Sequence, residues 1–284
     1  MKVLLLGGSG LLGTALRATT PGTVSLSAPT HAMLDVTDAN AMERALESIA
    51  PDWIINCVAF TAVDRAESER AEATRLNVEF VAMLGRLAGA HGARVMHFST
   101  DYVFDGLARR AMREDDAPAP LSHYAQTKRD GEVRLLASGA EAVIVRVCWL
   151  FGDGGGNFPR MMLERALQQT PSRVVDDQWG TPTLTRDLAA WCWALVARDA
   201  RGIYHASAAG ETTWAEFARR VYAHVGFAEG VTGVPSAEYG AAARRPLYTV
   251  MDCTKLDATL GITRRSWESA LDEWLGALAA ERQA

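Results

Sequence analysis

The sequence predicts an α/β fold built on a parallel β-sheet, and three observations lead to that prediction. The unbroken apolar run that follows Lys2 is typical of a strand buried on both faces of a sheet. Glycines at positions 7, 10 and 13 come next, and a helical apolar pattern begins beside them. Apolar segments at 53–56 and 94–98 then alternate with helical patterns at 39–49 and 72–90, which indicates strands and helices in turn.

Composition limits the classes of partner. The 284 residues are 49% hydrophobic, which is enough for one large domain or for one large and one small domain. The net charge is −5 without a basic run, so no nucleic acid or anionic membrane is expected as a partner. The N-terminus lacks the pattern of a signal peptide, and no apolar stretch approaches the roughly 20 residues that span a bilayer. We therefore predict a cytoplasmic location.

The remaining elements are predicted from periodicity and capping residues. A second strand is expected at 23–27, and Asp38 is expected to cap the helix at 39–49. The second half is expected to contain helices at 158–169, 213–225 and 266–280, a strand beginning at Val174, and a helix at 188–197 capped by Asp187. The glycine-rich segment 151–157 is either a flexible pocket wall or a simple surface loop.

The glycines after the first strand predict a dinucleotide site. Glycine allows a tight turn and a close approach to a pyrophosphate, and the following helix N-terminus offers N–H groups to the phosphates. Many such sites carry an acidic residue at the end of the second strand to bind the adenosine ribose. Ser27 occupies that place here, so the 2′-phosphate of NADPH is permitted, and NADH stays open.

A tyrosine and a lysine at helical spacing are the candidate catalytic pair. Tyr124 and Lys128 follow Ser122 near the start of a predicted helix, and residues four apart share one helix face. A nearby ammonium is expected to lower the pKa of the phenol and so ease proton exchange with a carbonyl oxygen. Thr100 follows the strand at 94–98, and its hydroxyl should face the crevice beside the glycines. The pair alone is a weak signal, because any helix can show it.

A series of motifs runs in order along nearly the whole chain and makes the signal specific. The motifs are Gly7-x-x-Gly10-x-x-Gly13, Leu34-Asp35-Val36-Thr37-Asp38, Pro51-Asp52, Thr61 to Glu69, Ser99 to Gly106, Pro120-Leu121, Tyr124-x-x-x-Lys128, Arg146 to Trp149, Gly156-Asn157-Phe158, Asp177 to Thr183, Gly202 to His205, Trp214-x-Glu-Phe217 and Arg245-Pro246. In this series the chain resembles the dTDP-4-dehydrorhamnose reductase family, a branch of the extended short-chain dehydrogenase/reductases.

The resemblance implies a fold and an activity. The fold would be a Rossmann-type doubly wound parallel sheet with a smaller α/β C-terminal substrate domain. Residues 1–150, with returning segments from later in the chain, would form the dinucleotide-binding domain, and 151–284 mostly the substrate-binding domain. The activity would be NAD(P)H-dependent reduction of the 4-keto group of a dTDP-linked 6-deoxyhexose, with dTDP-4-dehydro-L-rhamnose as the first candidate. NADPH is the expected cofactor and NADH the alternative, in a monomer or homodimer.

The resemblance also assigns roles to individual residues. Catalysis would fall to Thr100, Tyr124 and Lys128. Cofactor binding would involve Gly7, Gly10, Leu11, Leu12, Gly13, Asp35, Val36, Ala59, Phe60, Thr61, Tyr124 and Lys128. Substrate binding would involve Thr100, Asp101, Trp149, Asn157 and Arg245. Some family members join subunits through a metal held near the first helix, but Ala15 stands at that position, so no metal is expected.

Three alternatives remain at this stage. A sugar-nucleotide dehydratase would need a glutamate after Asp101, where this chain has Tyr102, so a reductase is favoured. A 4-ketoreductase for another dTDP-deoxysugar of specialised metabolism would carry the same residues. A non-catalytic NADP-binding regulatory subunit of methionine adenosyltransferase would not need the intact Thr, Tyr and Lys set.

Overall fold

A six-stranded parallel sheet forms the centre of the molecule. The structure is a computed structural model that describes residues 1–283. The strands, in chain order, are β1 Lys2–Leu6, β2 Ser25–Ser27, β3 Trp53–Asn56, β4 Arg94–Thr100, β5 Ala142–Val147, β6 Leu150–Phe151, β7 Ser172–Val175, β8 Trp179–Gly180, β9 Thr183–Leu184, β10 Gly202–Ala206, β11 Thr212–Thr213 and β12 Val231–Val234. The central sheet has the order β10-β5-β4-β3-β1-β2, with every pairing parallel.

Helices cover both faces of this sheet. They are α1 Leu11–Ala18, α2 Ala39–Ile49, α3 Arg65–Ser68, α4 Arg70–Thr74, α5 Phe80–Ala90, α6 His123–Leu136, α7 Phe158–Leu167, α8 Thr185–Ala197, α9 Trp214–His224, α10 Ser236–Tyr239, α11 Thr254–Leu260 and α12 Trp267–Gln283. Val3 and Leu5 pack in one core with α1 and α8, whereas Leu4 and Leu6 pack in another with α2 and α5. The two-faced burial explains why β1 is apolar without alternation, and the predicted fold class is confirmed.

The second half of the chain contributes to two separate cores. Phe151, Phe217 and Trp274 belong to a core formed by α7, α9 and α12 around the short strands. Strand β10 instead pairs with β5 as the edge of the central sheet, and α8 packs on α1. The expected helical face of α12 is buried, including Trp267 and Leu271. The division of domains at residue 150 stays a prediction.

The long helix expected at 72–90 is interrupted. Helix α4 is followed by a π-helical turn at Arg75–Glu79, after which α5 begins. The turn packs against α6 at Gly131, where a Cβ would lie 2.2 Å from the Asn77 carbonyl oxygen. The extra residue in the turn brings the buried Asn77 towards the C-terminal edge of the sheet, as π-turns often do at functional sites.

Several predicted boundaries change in the structure. Asp38 caps α2 as expected, accepting from the backbone N–H groups of residues 40 and 41. The prediction that Asp187 caps a helix is wrong, because α8 already begins at Thr185 and Asp187 forms an ion pair with Arg265. Strand β2 begins at Ser25 rather than at 23, β7 ends rather than begins near Val174, and α7 ends at Leu167.

Within residues 1–283, no helix is both long and apolar enough to cross a membrane.

The contact at Gly131 predicts a large effect of one methyl group. Gly131→Ala should lower the free energy of unfolding by about 1–3 kcal/mol, because the added Cβ overlaps backbone that cannot rotate away. Gly276→Ala is the matched control, since a Cβ there meets nothing within 4 Å on helix α12. The control should gain about 0.5–1 kcal/mol from helix propensity. Urea denaturation of both variants measures the difference, and equal stabilities would contradict the close approach.

Candidate active site

The loop after β1 leaves the start of α1 uncapped. Gly7 has a φ of 76°, and a Cβ on Gly13 would lie 2.2 Å from the Gly7 carbonyl oxygen, so both positions require glycine. The N-cap residue of α1 is Gly10, which has no side chain to accept from the first backbone N–H groups. In contrast, α2, α6 and α7 are each capped by a side chain. The N–H groups of Leu11, Leu12 and Gly13 are therefore suited to phosphate oxygens, which fits a dinucleotide.

A buried asparagine holds the loop after β3. The Asn77 side chain accepts from the Phe60 N–H at 2.9 Å and donates to the Phe60 carbonyl at 3.1 Å. It also donates to the Thr127 hydroxyl of α6 at 3.0 Å. Loop residues 59–61, which include the expected cofactor contacts Ala59 and Thr61, are thereby fixed against the helix that carries Tyr124. Sequence reasoning missed Asn77, because its position inside an apparently regular helix gave no signal.

The second expected cofactor segment lies beyond β2. Asp35 is exposed, and its carboxylate accepts from the N–H and hydroxyl of Thr37 at 2.9 and 2.8 Å. Val36 packs partly against the core on the α2 side of the sheet. A cavity of about 560 Å³ opens nearby, lined by Ser27, Ala28, Pro29, Met33, Leu34, Ala41, Arg44, Ala45 and Ile49. No carboxylate lines this cavity, so an anionic group meets only Arg44 as a charged neighbour.

Thr100 and Tyr124 lie side by side at the end of β4. Ser122 caps α6 by accepting from the Ala125 N–H at 3.3 Å, which places Tyr124 in the first turn. Burial raises the pKa of the Tyr124 phenol, and the adjacent Thr100 hydroxyl lowers it by less. The expectation that Lys128 lowers this pKa is wrong, because burial raises it and Lys128 is not among the groups that shift it. The phenol is thus a protonated donor at neutral pH.

Lys128 is buried beside His97 of β4, which in turn contacts Asn56 of β3. Its Nζ lies 3.4 Å from Nε2 of His97, whose Nδ1 lies 3.1 Å from the amide nitrogen of Asn56. Burial lowers the pKa of Lys128 to about 8, while Glu132 and Cys57 raise it. Burial also lowers the pKa of His97 well below its usual range, so that imidazole is neutral. The amine therefore sits in a dry, largely uncharged setting at the same sheet edge as Tyr124.

Asp101 follows the end of β4, and Trp149 lies two residues beyond the end of the neighbouring strand β5. Asp101 is buried and accepts from the Thr100 hydroxyl at 2.9 Å. Trp149 adopts a φ of 42°, and its ring stacks on Trp214 with centroids 3.7 Å apart. A Cβ on Gly180 would lie 2.6 Å from the Trp149 ring, so glycine is required there. The strained backbone and the stack hold the indole in one orientation at the end of β5.

The remaining expected substrate contacts are engaged within the chain. Arg245 forms a two-pronged ion pair with Asp64, at 3.0 and 2.7 Å, on the wall of a cavity of about 780 Å³. Phe158 and Trp214 provide an aromatic part of that wall. Asn157 instead caps α7, accepting from Arg160 N–H and donating to the Gly152 carbonyl. Its amide is therefore a capping group, and we leave it out of the proposed substrate contacts.

No cluster that could bind a metal lies at this edge of the sheet. Among the residues that the structure describes, no three His, Cys, Asp or Glu side chains are grouped to hold an ion. Ala15, within α1, packs against the core with a side chain that cannot bind a metal. Burial raises the pKa of the Cys57 thiol, so it is protonated.

Comparisons with known proteins identify the family. The family model described as the RmlD substrate binding domain matches residues 1–280. A dTDP-4-dehydrorhamnose reductase of Sinorhizobium fredii is 33% identical over 292 residues, covering 99% of each chain. The chain belongs to the dTDP-4-dehydrorhamnose reductase family.

Two further members of this reductase family bear on the cofactor and the substrate. The crystal structure of the Bacillus anthracis dTDP-4-dehydrorhamnose reductase in complex with NADP has a TM-score of 0.93 and 31% identity, covering 96% of this chain and 98% of that one. A probable dTDP-4,6-dihydroxy-2-methyloxan-3-one 4-ketoreductase of Streptomyces antibioticus is 38% identical over 277 residues, covering 96% of this chain and 94% of that one. Relatives of similar identity to this chain are thus named as reductases of different keto sugars.

The buried lysine of this reductase-family site should reduce stability. Its pKa falls from 10.5 to about 8 on folding, so the unfolded chain binds more protons between these values. The destabilisation caused by the buried charge of Lys128 is therefore fully present below pH 8 and disappears as the pH rises towards 10.5. Lys128→Met should raise the free energy of unfolding at pH 7 by about 1–3 kcal/mol. Urea denaturation at several pH values provides the measurement, and a difference that does not shrink above pH 8 would contradict this explanation.

Proposed function

We propose that this protein reduces the 4-keto group of a nucleotide-activated 6-deoxyhexose with NADPH, with NADH as the alternative cofactor. The proposed substrate is dTDP-4-dehydro-L-rhamnose, which would give dTDP-L-rhamnose. The observation that carries the proposal is that Tyr124 lies beside Thr100 at the end of β4, on the helix whose Lys128 contacts His97 of the same strand. The uncapped start of α1 follows β1 at the same end of the parallel sheet. Family membership supports the same reaction, and the NADP complex of the Bacillus anthracis relative supports the cofactor.

The residues would divide the work as follows. When bound, the reduced nicotinamide supplies the hydride. The N–H groups at the start of α1 would hold the pyrophosphate, and the loop at Phe60, fixed by Asn77, would bound the nicotinamide side. Lys128 would hold a ribose hydroxyl, and Tyr124 would give its proton to the carbonyl oxygen as negative charge develops there. The raised pKa of Tyr124 keeps that proton available at neutral pH.

The large cavity is the proposed place for the nucleotide part of the substrate. Arg245 and Arg165 are two of the cations on its wall, and Trp214 and Phe158 offer aromatic faces. A guanidinium suits the oxygens of a diphosphate, and an aromatic face suits a base. Asp101 and Trp149 would then bound the sugar next to Tyr124. These assignments follow the family resemblance and the position of each side chain.

A second sugar is a specific alternative. The Streptomyces antibioticus relative carries the name of a different 4-ketoreductase at 38% identity, so another dTDP-4-keto sugar is a candidate substrate. Purified protein with NADPH and each dTDP-4-keto sugar, followed by the loss of reduced-nicotinamide absorbance, ranks these substrates. Absence of turnover with all of them, together with intact NADPH binding, would favour a regulatory role instead. We also propose that the protein is cytoplasmic and acts as a monomer or homodimer.

The role of Tyr124 as the proton donor can be tested by removing its phenol oxygen. Tyr124→Phe should lower kcat by about 10²–10⁴-fold, which is typical of lost acid–base catalysis, while NADPH affinity changes little. Tyr204→Phe is the matched control, because Tyr204 is also buried but lies on the edge strand β10. Steady-state kinetics and a fluorescence titration of NADPH provide the readouts. Full activity in Tyr124→Phe would refute the assignment of Tyr124 as the acid.

A further inference from the structure

Asp101 occupies an unusual position for a carboxylate beside a catalytic hydroxyl. It follows Thr100 at the end of β4 and is 2% exposed. One carboxylate oxygen accepts from the Thr100 hydroxyl at 2.9 Å, and the other accepts from the Cys148 thiol at 3.1 Å. The Thr100 oxygen also accepts from the Tyr102 N–H at 3.2 Å. In this arrangement the Thr100 hydroxyl therefore donates its one hydrogen bond to the Asp101 carboxylate.

The number of donor protons at Thr100 decides whether its hydroxyl can bond a substrate carbonyl. A threonine hydroxyl has one proton and two lone pairs, and an ionised carboxylate can only accept. When Asp101 is ionised, the Thr100 proton points to Asp101, and one Thr100 lone pair is filled by Tyr102. The only proton of the Thr100 hydroxyl is then held by the carboxylate and is not directed at a substrate carbonyl oxygen.

We propose that Asp101 sets the direction of this hydrogen-bond chain, and that its neutral form is the one in which Thr100 donates to the substrate carbonyl oxygen. Neutral Asp101 donates to Thr100, Thr100 donates to the carbonyl oxygen, and Tyr124 donates to the same oxygen. The proton that ends on the product comes from Tyr124, and Asp101 keeps its own. Asp101 acts through Thr100, so it is a positioning residue. The inference rests on the proposed function.

The surroundings of Asp101 make both forms accessible. Burial raises the pKa of Asp101 to about 6, against the lowering effect of hydrogen bonds from Thr249, Cys148 and Thr100. The titratable neighbours are Tyr102 on the same segment, Tyr124 on α6 and Cys148 after β5, and burial raises the pKa of each. Thr249, from the segment before α11, is not titratable. A cation near this cluster is Arg245, which is paired with Asp64 rather than with Asp101.

The chain fixes how an asparagine would sit at this position. The Cys148 sulfur accepts from the Thr181 N–H at 3.2 Å, so its own proton is free for position 101. An amide at 101 would place its oxygen on the Cys148 thiol and its NH₂ group on Thr100. Asp101→Asn thus imitates the neutral acid at every pH, with the same shape and one proton donor aimed at Thr100.

The test is the pH dependence of kcat between pH 5.5 and 8.5, with saturating cofactor and 4-keto sugar. Wild-type kcat should fall by about ten-fold or more from pH 6 to pH 8, because a single oxyanion donor contributes about 10²–10³-fold and the neutral fraction of Asp101 decreases over this range. Asp101→Asn should vary by less than about two-fold and exceed the wild type at pH 8. Asp115→Asn, an exposed carboxylate, and His123→Gln, a titratable neighbour of Tyr124, should keep the wild-type profile.

A second variant covers the case in which Asp101→Asn does not fold, as judged by circular dichroism. Thr100→Val removes the group through which Asp101 acts, so its lower kcat should lose the fall between pH 6 and 8. If both variants fold, Asp101→Asn should add no further effect in the Thr100→Val background. A wild-type profile in folded Asp101→Asn, no activity of that folded variant at any pH, or an unchanged fall in Thr100→Val would overturn the inference. Absence of NADPH-dependent turnover of every dTDP-4-keto sugar by the wild-type protein would instead overturn the proposed function, so the two failures are distinguishable.

Discussion

The hydrogen bonds of one buried amide hold the candidate site together. Asn77 bonds both backbone groups of Phe60 and the hydroxyl of Thr127, so the loop after β3 and the helix with Tyr124 and Lys128 move as one. This contact exists because the π-helical turn brings Asn77 inward and because Gly131 leaves room for its backbone. Replacing any one of these features would leave a buried amide or carbonyl without its partner, which costs more than the bond itself contributes.

Desolvation decides the electrostatics of the site more than neighbouring charge does. Burial is the largest influence on the pKa of Lys128, Tyr124 and Asp101, lowering the first and raising the other two. All three groups are therefore shifted towards their neutral forms. A dry, weakly charged site suits a reaction in which charge appears only on the substrate oxygen, because fixed donors act more strongly there than in water.

The sequence was sufficient where local patterns decide the structure. Strand β1, the glycine turn, the Asp38 cap and the buried face of α12 all follow from spacing and residue type. It failed where distant residues decide. The local sequence makes Asp187 resemble a helix cap, but its carboxylate binds Arg265, which is 78 residues away in the sequence. The pKa of Tyr124 could not be judged from Lys128 alone, because the burial that dominates it comes from the folded loop and strand around it.

Strand β10 has a consequence for the nascent chain. It pairs with β5 only after residues 202–206 have been made, although β5 ends at residue 147. Until then, the edge of β5 presents unpaired backbone N–H and C=O groups, which favour pairing with other chains. Late closure of this edge also adds long-range contacts, which slow folding. The growing polypeptide therefore carries an open sheet edge until residues 202–206 have been added.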